Sequence, residues 1–114
     1  MRLPLAAVLL ALAGAAQAAD RPDPAALQHG GEVFQKWCAP CHAAGLGHPG
    51  TQALHAKYGA SKPDALEQRR DLTPELVRFY VRHGVSIMPF FRKTEITDAD
   101  LAALGAYLSA KPRK

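Results

Sequence analysis

The segment Cys38-Ala39-Pro40-Cys41-His42 holds the residues of this 114-residue sequence whose types and spacing most clearly indicate chemistry. Two cysteines at this spacing project to one side, where each thiol can add to a vinyl group of the same porphyrin and form a thioether. The histidine that follows then lies under the iron and supplies a ring nitrogen as ligand. The pattern is the attachment sequence of c-type haem, and it predicts Cys38, Cys41 and His42 as cofactor-binding residues.

Three other uses of the two cysteines remain open from the residues alone. A redox-active dithiol belongs at a strand–helix junction, and no strand pattern precedes this one. A zinc site could combine both cysteines with His48 and His55, although these histidines are loosely spaced and there is no second Cys-x-x-Cys. A structural disulfide is the third alternative in an exported chain. Haem attachment is favoured because it also accounts for His42 and agrees with the export signal described below.

A second iron ligand is predicted at Met88, the only methionine besides the start residue. It lies in an apolar segment between two predicted helices, and Pro89 fixes the backbone after it. A lone methionine is most often a packing residue, and His83, near the end of the preceding helix, is the rival ligand. Histidine and methionine together fill both axial positions, and the soft thioether favours ferrous iron. This ligand set predicts an electron carrier and not an enzyme.

Helical patterns dominate the segments that must position these residues, and strand patterns are nearly absent. The first helix is predicted over Pro24–Cys41, with Asp23 as its N-cap. Residues 43–59 are rich in glycine and alanine and predict a loop with at most one helical turn. Residues 63–70 predict a short helix. The fold class is therefore predicted to be all-α.

Two later helices have clear start and stop residues. One begins after Thr73 and ends at Gly84, and the other begins after Thr97, with Asp100 at the capping-box position. Residues 85–91 between them are apolar, but they are too short and too interrupted by proline to form a helix. This segment therefore predicts the loop that presents Met88.

The N-terminal residues 1–18 predict a secretory signal peptide. Arg2 gives a basic start, an apolar run follows, and Ala16-Gln17-Ala18 is a small-x-small cleavage site. The apolar run is too short to span a bilayer, so we expect no membrane span after cleavage. The rest divides into a flexible lead-in of residues 19–29 and a single domain of residues 30–114. Export of this kind predicts a periplasmic protein.

The charge of the chain is modest and unevenly distributed. The sequence has 14 basic and 10 acidic residues, a net charge of +4, and no basic run, which excludes a typical nucleic-acid-binding protein. Residues 57–93 contain 8 basic and 4 acidic residues, so the positive excess surrounds Met88. This distribution predicts a face that docks on an acidic patch of a redox partner.

Over about residues 30–108 the chain resembles the monohaem class I cytochromes c. Gly30, Phe34 and Cys38 match the Gly-x-x-x-aromatic-x-x-x-Cys approach to the haem motif, and Leu104-Gly105-Ala106-Tyr107-Leu108 matches the C-terminal helix. The resemblance implies the class I cytochrome c fold. In that fold the N- and C-terminal helices cross at the small residue, here Gly30, and loops wrap one covalently bound haem c.

The loops of the chain carry the rest of the resemblance. Met88-Pro89 matches the distal loop whose methionine is the sixth iron ligand. Gly47-His48-Pro49-Gly50 resembles the loop whose proline carbonyl accepts a hydrogen bond from the proximal imidazole. Arg78–Phe91 is similar to the same segment of small periplasmic cytochrome subunits of dehydrogenases, including flavoproteins.

These resemblances imply a carrier of one electron. The donor is expected to be a dehydrogenase, with a flavoprotein as one candidate, and the acceptor an oxidase or another cytochrome. The alternative function is a haem protein with a labile methionine ligand, which would bind small ligands or reduce peroxide.

Overall fold

A computed structural model describes residues 21–110, so the predicted signal peptide of residues 1–18 lies outside the described residues. Within them the chain is helical and has no strand, only an isolated bridge between Val85 and Met88. This confirms the all-α prediction. The helices are α1 (Pro24–Trp37), α2 (Ala39–His42), α3 (Pro49–Tyr58), α4 (Pro74–His83) and α5 (Asp98–Ser109), with 3₁₀ turns at Gly59–Ser61 and Leu66–Gln68.

The predicted helix over Pro24–Cys41 is interrupted at Cys38. Pro40 explains the break, because proline has no N–H to donate and its ring displaces the carbonyl one turn earlier. The amide of Cys38 closes α1 on the Phe34 carbonyl at 2.9 Å, and α2 starts afresh at Ala39. The start agrees with the prediction, since the Asp23 side chain accepts a hydrogen bond from the Ala25 amide at 3.1 Å. Residues 24–29 of the predicted lead-in are therefore helical.

The prediction of a loop over residues 43–59 was wrong for its second half, which forms α3. This helix has little apolar periodicity, but Pro49 occupies its first turn and Gly59 ends it at φ 54°. The Thr51 hydroxyl donates to the Ala43 carbonyl at 2.7 Å and ties the helix to the end of α2. Of the short helix predicted over residues 63–70, only the 3₁₀ turn Leu66–Gln68 is present.

The caps of α4 and α5 are as predicted. The Thr73 side chain accepts from the Leu76 amide at 3.2 Å, and Gly84 ends α4. At α5, the Thr97 side chain accepts from the Asp100 amide at 3.1 Å while Asp100 accepts from the Thr97 amide, which completes the capping box. The loop that contains Met88 lies between these two helices in the chain.

α1 crosses α5 at Gly30, as the family resemblance implied. A Cβ at Gly30 would lie 2.7 Å from both the carbonyl carbon of Ala103 and the Cβ of Tyr107. Only glycine permits so close an approach of two backbones. His29 strengthens the crossing through a 2.6 Å contact with Asp100, which raises the pKa of His29 and lowers that of Asp100.

The core lies between α1, α4 and α5. Phe34, Ile96 and Leu104 have no exposed surface, and Leu72 and Val77 are buried beside them. The Tyr107 ring packs 6.0 Å from the Phe34 ring, and its hydroxyl donates to Glu67, so the 3₁₀ turn at Leu66–Gln68 is held to α5. Among residues 21–110, no helix is both long enough and apolar enough to cross a membrane.

Candidate functional site

The predicted attachment residues occupy a single tight turn at the end of α1. Cys38 is its first residue, and its carbonyl accepts the amides of Cys41 at 3.1 Å and His42 at 2.9 Å. Cys38 is half-buried against the core, whereas Cys41 is exposed, and both are free thiols. Burial, with a smaller contribution from the charge of Cys41, raises the pKa of Cys38 to about 12. The backbone therefore presents two free thiols and one imidazole from neighbouring positions.

The imidazole of His42 is packed and unpartnered. Its Nδ1 atom is buried without a hydrogen-bond partner among the described residues. Burial lowers the pKa of His42, so the neutral ring is favoured. A neutral imidazole whose one nitrogen is enclosed leaves the other, Nε2, to bind a metal.

Gly50 shapes the enclosed side of this ring. A Cβ there would lie 2.6 Å from Cε1 and 2.7 Å from Nδ1 of His42, so only glycine fits at this point of α3. The family resemblance implied that the Pro49 carbonyl would accept a hydrogen bond from this ring. That expectation was wrong for this structure, because Nδ1 has no hydrogen-bond partner within residues 21–110.

The segment that contains Met88 is a tight, well-defined turn. The Val85 amide donates to the Met88 carbonyl at 3.1 Å, and the Met88 amide donates to the Val85 carbonyl at 2.9 Å. Gly84, at φ 69°, lies under the turn, where a Cβ would come within 2.6 Å of the Met88 carbonyl oxygen. Met88 is half-buried, whereas its neighbour Ile87 is 79% exposed.

Phe91 ties the Met88 turn to the attachment residues. Its amide donates to the Val81 carbonyl at 2.7 Å, and its carbonyl accepts from Arg82 at 3.0 Å. Its ring packs edge-on at 5.9 Å against Trp37, the residue before Cys38. The two predicted ligand segments are thus joined through adjacent aromatic side chains. The sequence pattern gives no indication of this contact of Arg82, because it joins residues that are nine positions apart.

The histidines that were alternative metal ligands make contacts with other groups. His83 donates from Nδ1 to the Phe79 carbonyl at 2.7 Å, and its ring stacks 4.5 Å from that of Phe79. His48 donates to the Pro40 carbonyl at 3.0 Å, and His55 contacts Asp64 at 3.2 Å. The part of the chain that the structure describes contains no group of three or more histidine, cysteine and carboxylate side chains that could hold a metal ion. The zinc alternative therefore lacks a ligand cluster there.

The Arg69 side chain is buried and already paired. It donates to both carboxylate oxygens of Asp71, at 2.7 and 2.8 Å, and lies 5.0 Å from the centre of the Tyr58 ring. Lys62 also contacts Asp71 at 2.7 Å, and the two cations hold the pKa of Asp71 well below its usual range. Arg69 thus fixes the segment after α3.

Large apolar side chains are exposed after the attachment turn, on α4 and in the loop that contains Met88. They are Leu46, Leu76, Phe79, Tyr80, Val85, Ile87 and Phe90. Exposed apolar surface marks a binding site for a ligand or partner where it is contiguous. A flat apolar macrocycle held by Cys38, Cys41 and His42 would use the two free thiols and the unpartnered imidazole, and it could cover apolar side chains of this kind. The residues present therefore fit a covalently held haem.

Comparison with known proteins agrees with this fit. Residues 25–108 match the family model described as cytochrome c oxidase, cbb3-type, subunit III. The chain is 33% identical over 88 residues to cytochrome c6 of Cyanidioschyzon merolae, covering 77% of each chain. It is also 33% identical over 102 residues to cytochrome c6 of Thermosynechococcus vestitus, covering 90% of this chain and 80% of the relative. No solved structure matches the chain.

The family match spans α1 to α5 and therefore includes both the helix crossing and the haem attachment turn. The relatives cover 77% and 90% of this chain at 33% identity, which indicates common descent. Together with the all-α fold, these matches show that the chain belongs to the class I cytochromes c, as a monohaem member with one covalently bound haem c.

Proposed function

We propose that this protein is a periplasmic electron-transfer protein in which Cys38 and Cys41 hold the haem and His42 and Met88 are the axial ligands of its iron. That it is a haem-based electron carrier and not an enzyme follows from its family and its cytochrome c6 relatives. The observation that carries the ligand assignment is the enclosed, unpartnered His42 ring in the same turn as two free thiols.

Different residues of the chain hold the two sides of the haem. Cys38 and Cys41 would hold the haem through two thioether bonds, each formed by addition of the S–H group across a vinyl double bond, which requires no oxidant. Gly50 and the packing of Cys38 against the core fix the histidine side, while the Gly84 and Phe91 contacts fix the methionine side. When bound, the haem supplies a reversible one-electron couple between ferrous and ferric iron.

The first experiment separates a carrier from a haem protein with a labile methionine. We expect the purified ferric protein to show the far-red absorption band of methionine-ligated haem, and the ferrous protein to bind carbon monoxide slowly. Both results follow if the Met88 sulfur fills the sixth position. Absence of the band together with rapid carbon monoxide binding would favour the alternative function, a protein that binds small ligands or reduces peroxide.

For the redox partners, we propose that the electron comes from a dehydrogenase, with a flavoprotein as one candidate, and goes to an oxidase or another cytochrome. The similarity of Arg78–Phe91 to cytochrome subunits of dehydrogenases supports the donor. The positive excess of residues 57–93 supports docking on an acidic patch. Ion pairs reduce the charge available there, since Lys62 and Arg69 share Asp71 while Arg82 and Lys93 share Asp98.

Arg78 offers a direct test of this docking face, because it lies exposed on α4. Added salt should screen the attraction between the positive face and an acidic donor. We therefore expect the rate of electron transfer from a reduced donor to fall roughly threefold when salt is added. Arg78→Gln should reduce the rate at low salt, whereas Arg21→Gln, an equal change of charge outside residues 57–93, should not. A rate that is insensitive to ionic strength would remove the case for an electrostatically guided partner.

A further inference from the structure

The Arg82 side chain contacts both the segment that follows Met88 and the start of α5. Its guanidinium donates to the Phe91 carbonyl at 3.0 Å and to the Asp98 carboxylate at 2.9 Å. The side chain is only 17% exposed, although it belongs to the last turn of α4. One partner lies three residues after Met88, and the other is the first residue of α5. The arginine therefore spans the exit of the Met88 turn and the start of the C-terminal helix.

Two hydrogen bonds hold the Phe91 backbone, and we call this pair of contacts the Phe91 clamp. The amide of Phe91 is held by the Val81 carbonyl at 2.7 Å and its carbonyl by Arg82, so consecutive residues of α4 fix both of its backbone polar groups. On the other side of Met88, Gly84 packs directly beneath the turn. Met88 thus lies between Gly84 and Phe91, and the Arg82 side chain hydrogen-bonds the backbone of the second of them.

Asp98 is the second acceptor of the Arg82 guanidinium. It also receives Lys93 at 3.0 Å, and both cations lower its pKa. Because Asp98 is the first residue of α5, the guanidinium links the start of that helix to the exit of the Met88 turn. The charge-assisted hydrogen bond to Asp98 also favours the guanidinium orientation that reaches Phe91.

We propose that Arg82 is the positioning residue that keeps Met88 on the haem iron. This inference rests on the proposed ligation by Met88. Loss of the guanidinium would free the Phe91 carbonyl and allow the turn to open, while α4 keeps its Thr73 cap and its Gly84 end. The expected consequence is a ligand that leaves the iron more often in a protein that remains folded.

Arg82→Gln in the haem-loaded protein tests this proposal. We expect the helical circular dichroism to be retained, the far-red band to weaken, and the carbon monoxide binding rate of the ferrous form to rise about tenfold, as the loss of one charge-assisted hydrogen bond implies. Hydrogen exchange at the Phe91 amide should accelerate by a similar factor. Arg82→Lys should restore little, because a single ammonium cannot bridge both acceptors.

Lys93→Gln is the matched control, since it removes a cation from the same Asp98 without touching Phe91. It should leave the band and the carbon monoxide rate unchanged. If Arg82→Gln behaves like Lys93→Gln while the wild-type band is present, Arg82 has no positioning role. If the wild-type protein itself lacks the band, the ligation by Met88 fails and the role of Arg82 fails with it.

Discussion

Gly30→Ala is expected to lower the melting temperature of the haem-loaded protein by about 10 °C. An alanine would gain about 1 kcal/mol of helix propensity in α1, but its methyl group has no space. It would lie 2.7 Å from the Ala103 carbonyl carbon and the Tyr107 Cβ, which are backbone and backbone-attached atoms that cannot rotate away. Separating two packed helices costs about 3 kcal/mol, so the net loss is about 2 kcal/mol. Thermal unfolding followed by circular dichroism measures it.

Gly31→Ala is the control for this prediction, one residue further along the same helix. A Cβ at Gly31 would meet the ring edge of Tyr107 at 3.3 Å, and a ring can shift by a few tenths of an ångström. The helix-propensity gain then dominates, and the melting temperature should stay the same or rise by a few degrees. Equal losses in both variants would show that the crossing does not depend on the backbone contact at Gly30.

Met88→Ala is expected to lower the reduction potential by roughly 0.1–0.2 V, a fraction of the range over which axial ligands set haem potentials. The thioether sulfur is a soft ligand that favours ferrous iron, and alanine leaves the position to water or an external ligand. The far-red band should disappear and carbon monoxide should bind rapidly. A redox titration followed by absorbance measures the potential and the spectrum together.

Ile87→Ala and His83→Ala serve as controls for Met88. Ile87 is 79% exposed in the same turn, and His83 is the rival ligand, with its ring stacked on Phe79. Both variants should keep the band and the potential. An unchanged spectrum in Met88→Ala, or a lost band in His83→Ala, would reassign the sixth ligand.

Local side-chain chemistry explains which parts of the fold could be predicted from the sequence. Thr73 and Gly84 bound α4, and Thr97 bounds α5, through contacts within a few residues, so sequence reasoning located both helices. The helix α3 was missed because it has few large apolar residues and is held by Thr51 against Ala43. The apolar periodicity of residues 24–41 continues across Cys38 and does not reveal the break there, which Pro40 causes.

The candidate site likewise has some features that the sequence predicts and others that depend on packing. The Cys-x-x-Cys-His spacing and the single methionine are visible in the sequence. The close packing of Gly50 on His42 and the clamp on Phe91 join residues that are 8 and 9 positions apart. Contacts of that kind depend on how helices and loops pack, and no periodicity in the sequence reports them.

The crossing of α1 on α5 also has a consequence for chain entropy. Contact between Gly30 and Ala103 closes a loop of about 70 residues when the chain folds. The part of the loop-closure entropy that depends on length costs about 4 kcal/mol. That cost grows only with the logarithm of loop length, so doubling the loop would add only about 0.6 kcal/mol. We therefore expect insertions and deletions between α3 and α4 to be tolerated as long as the crossing is kept. Loop length there can vary among related chains, and with it the surface offered to partners, while the haem-holding turn stays the same.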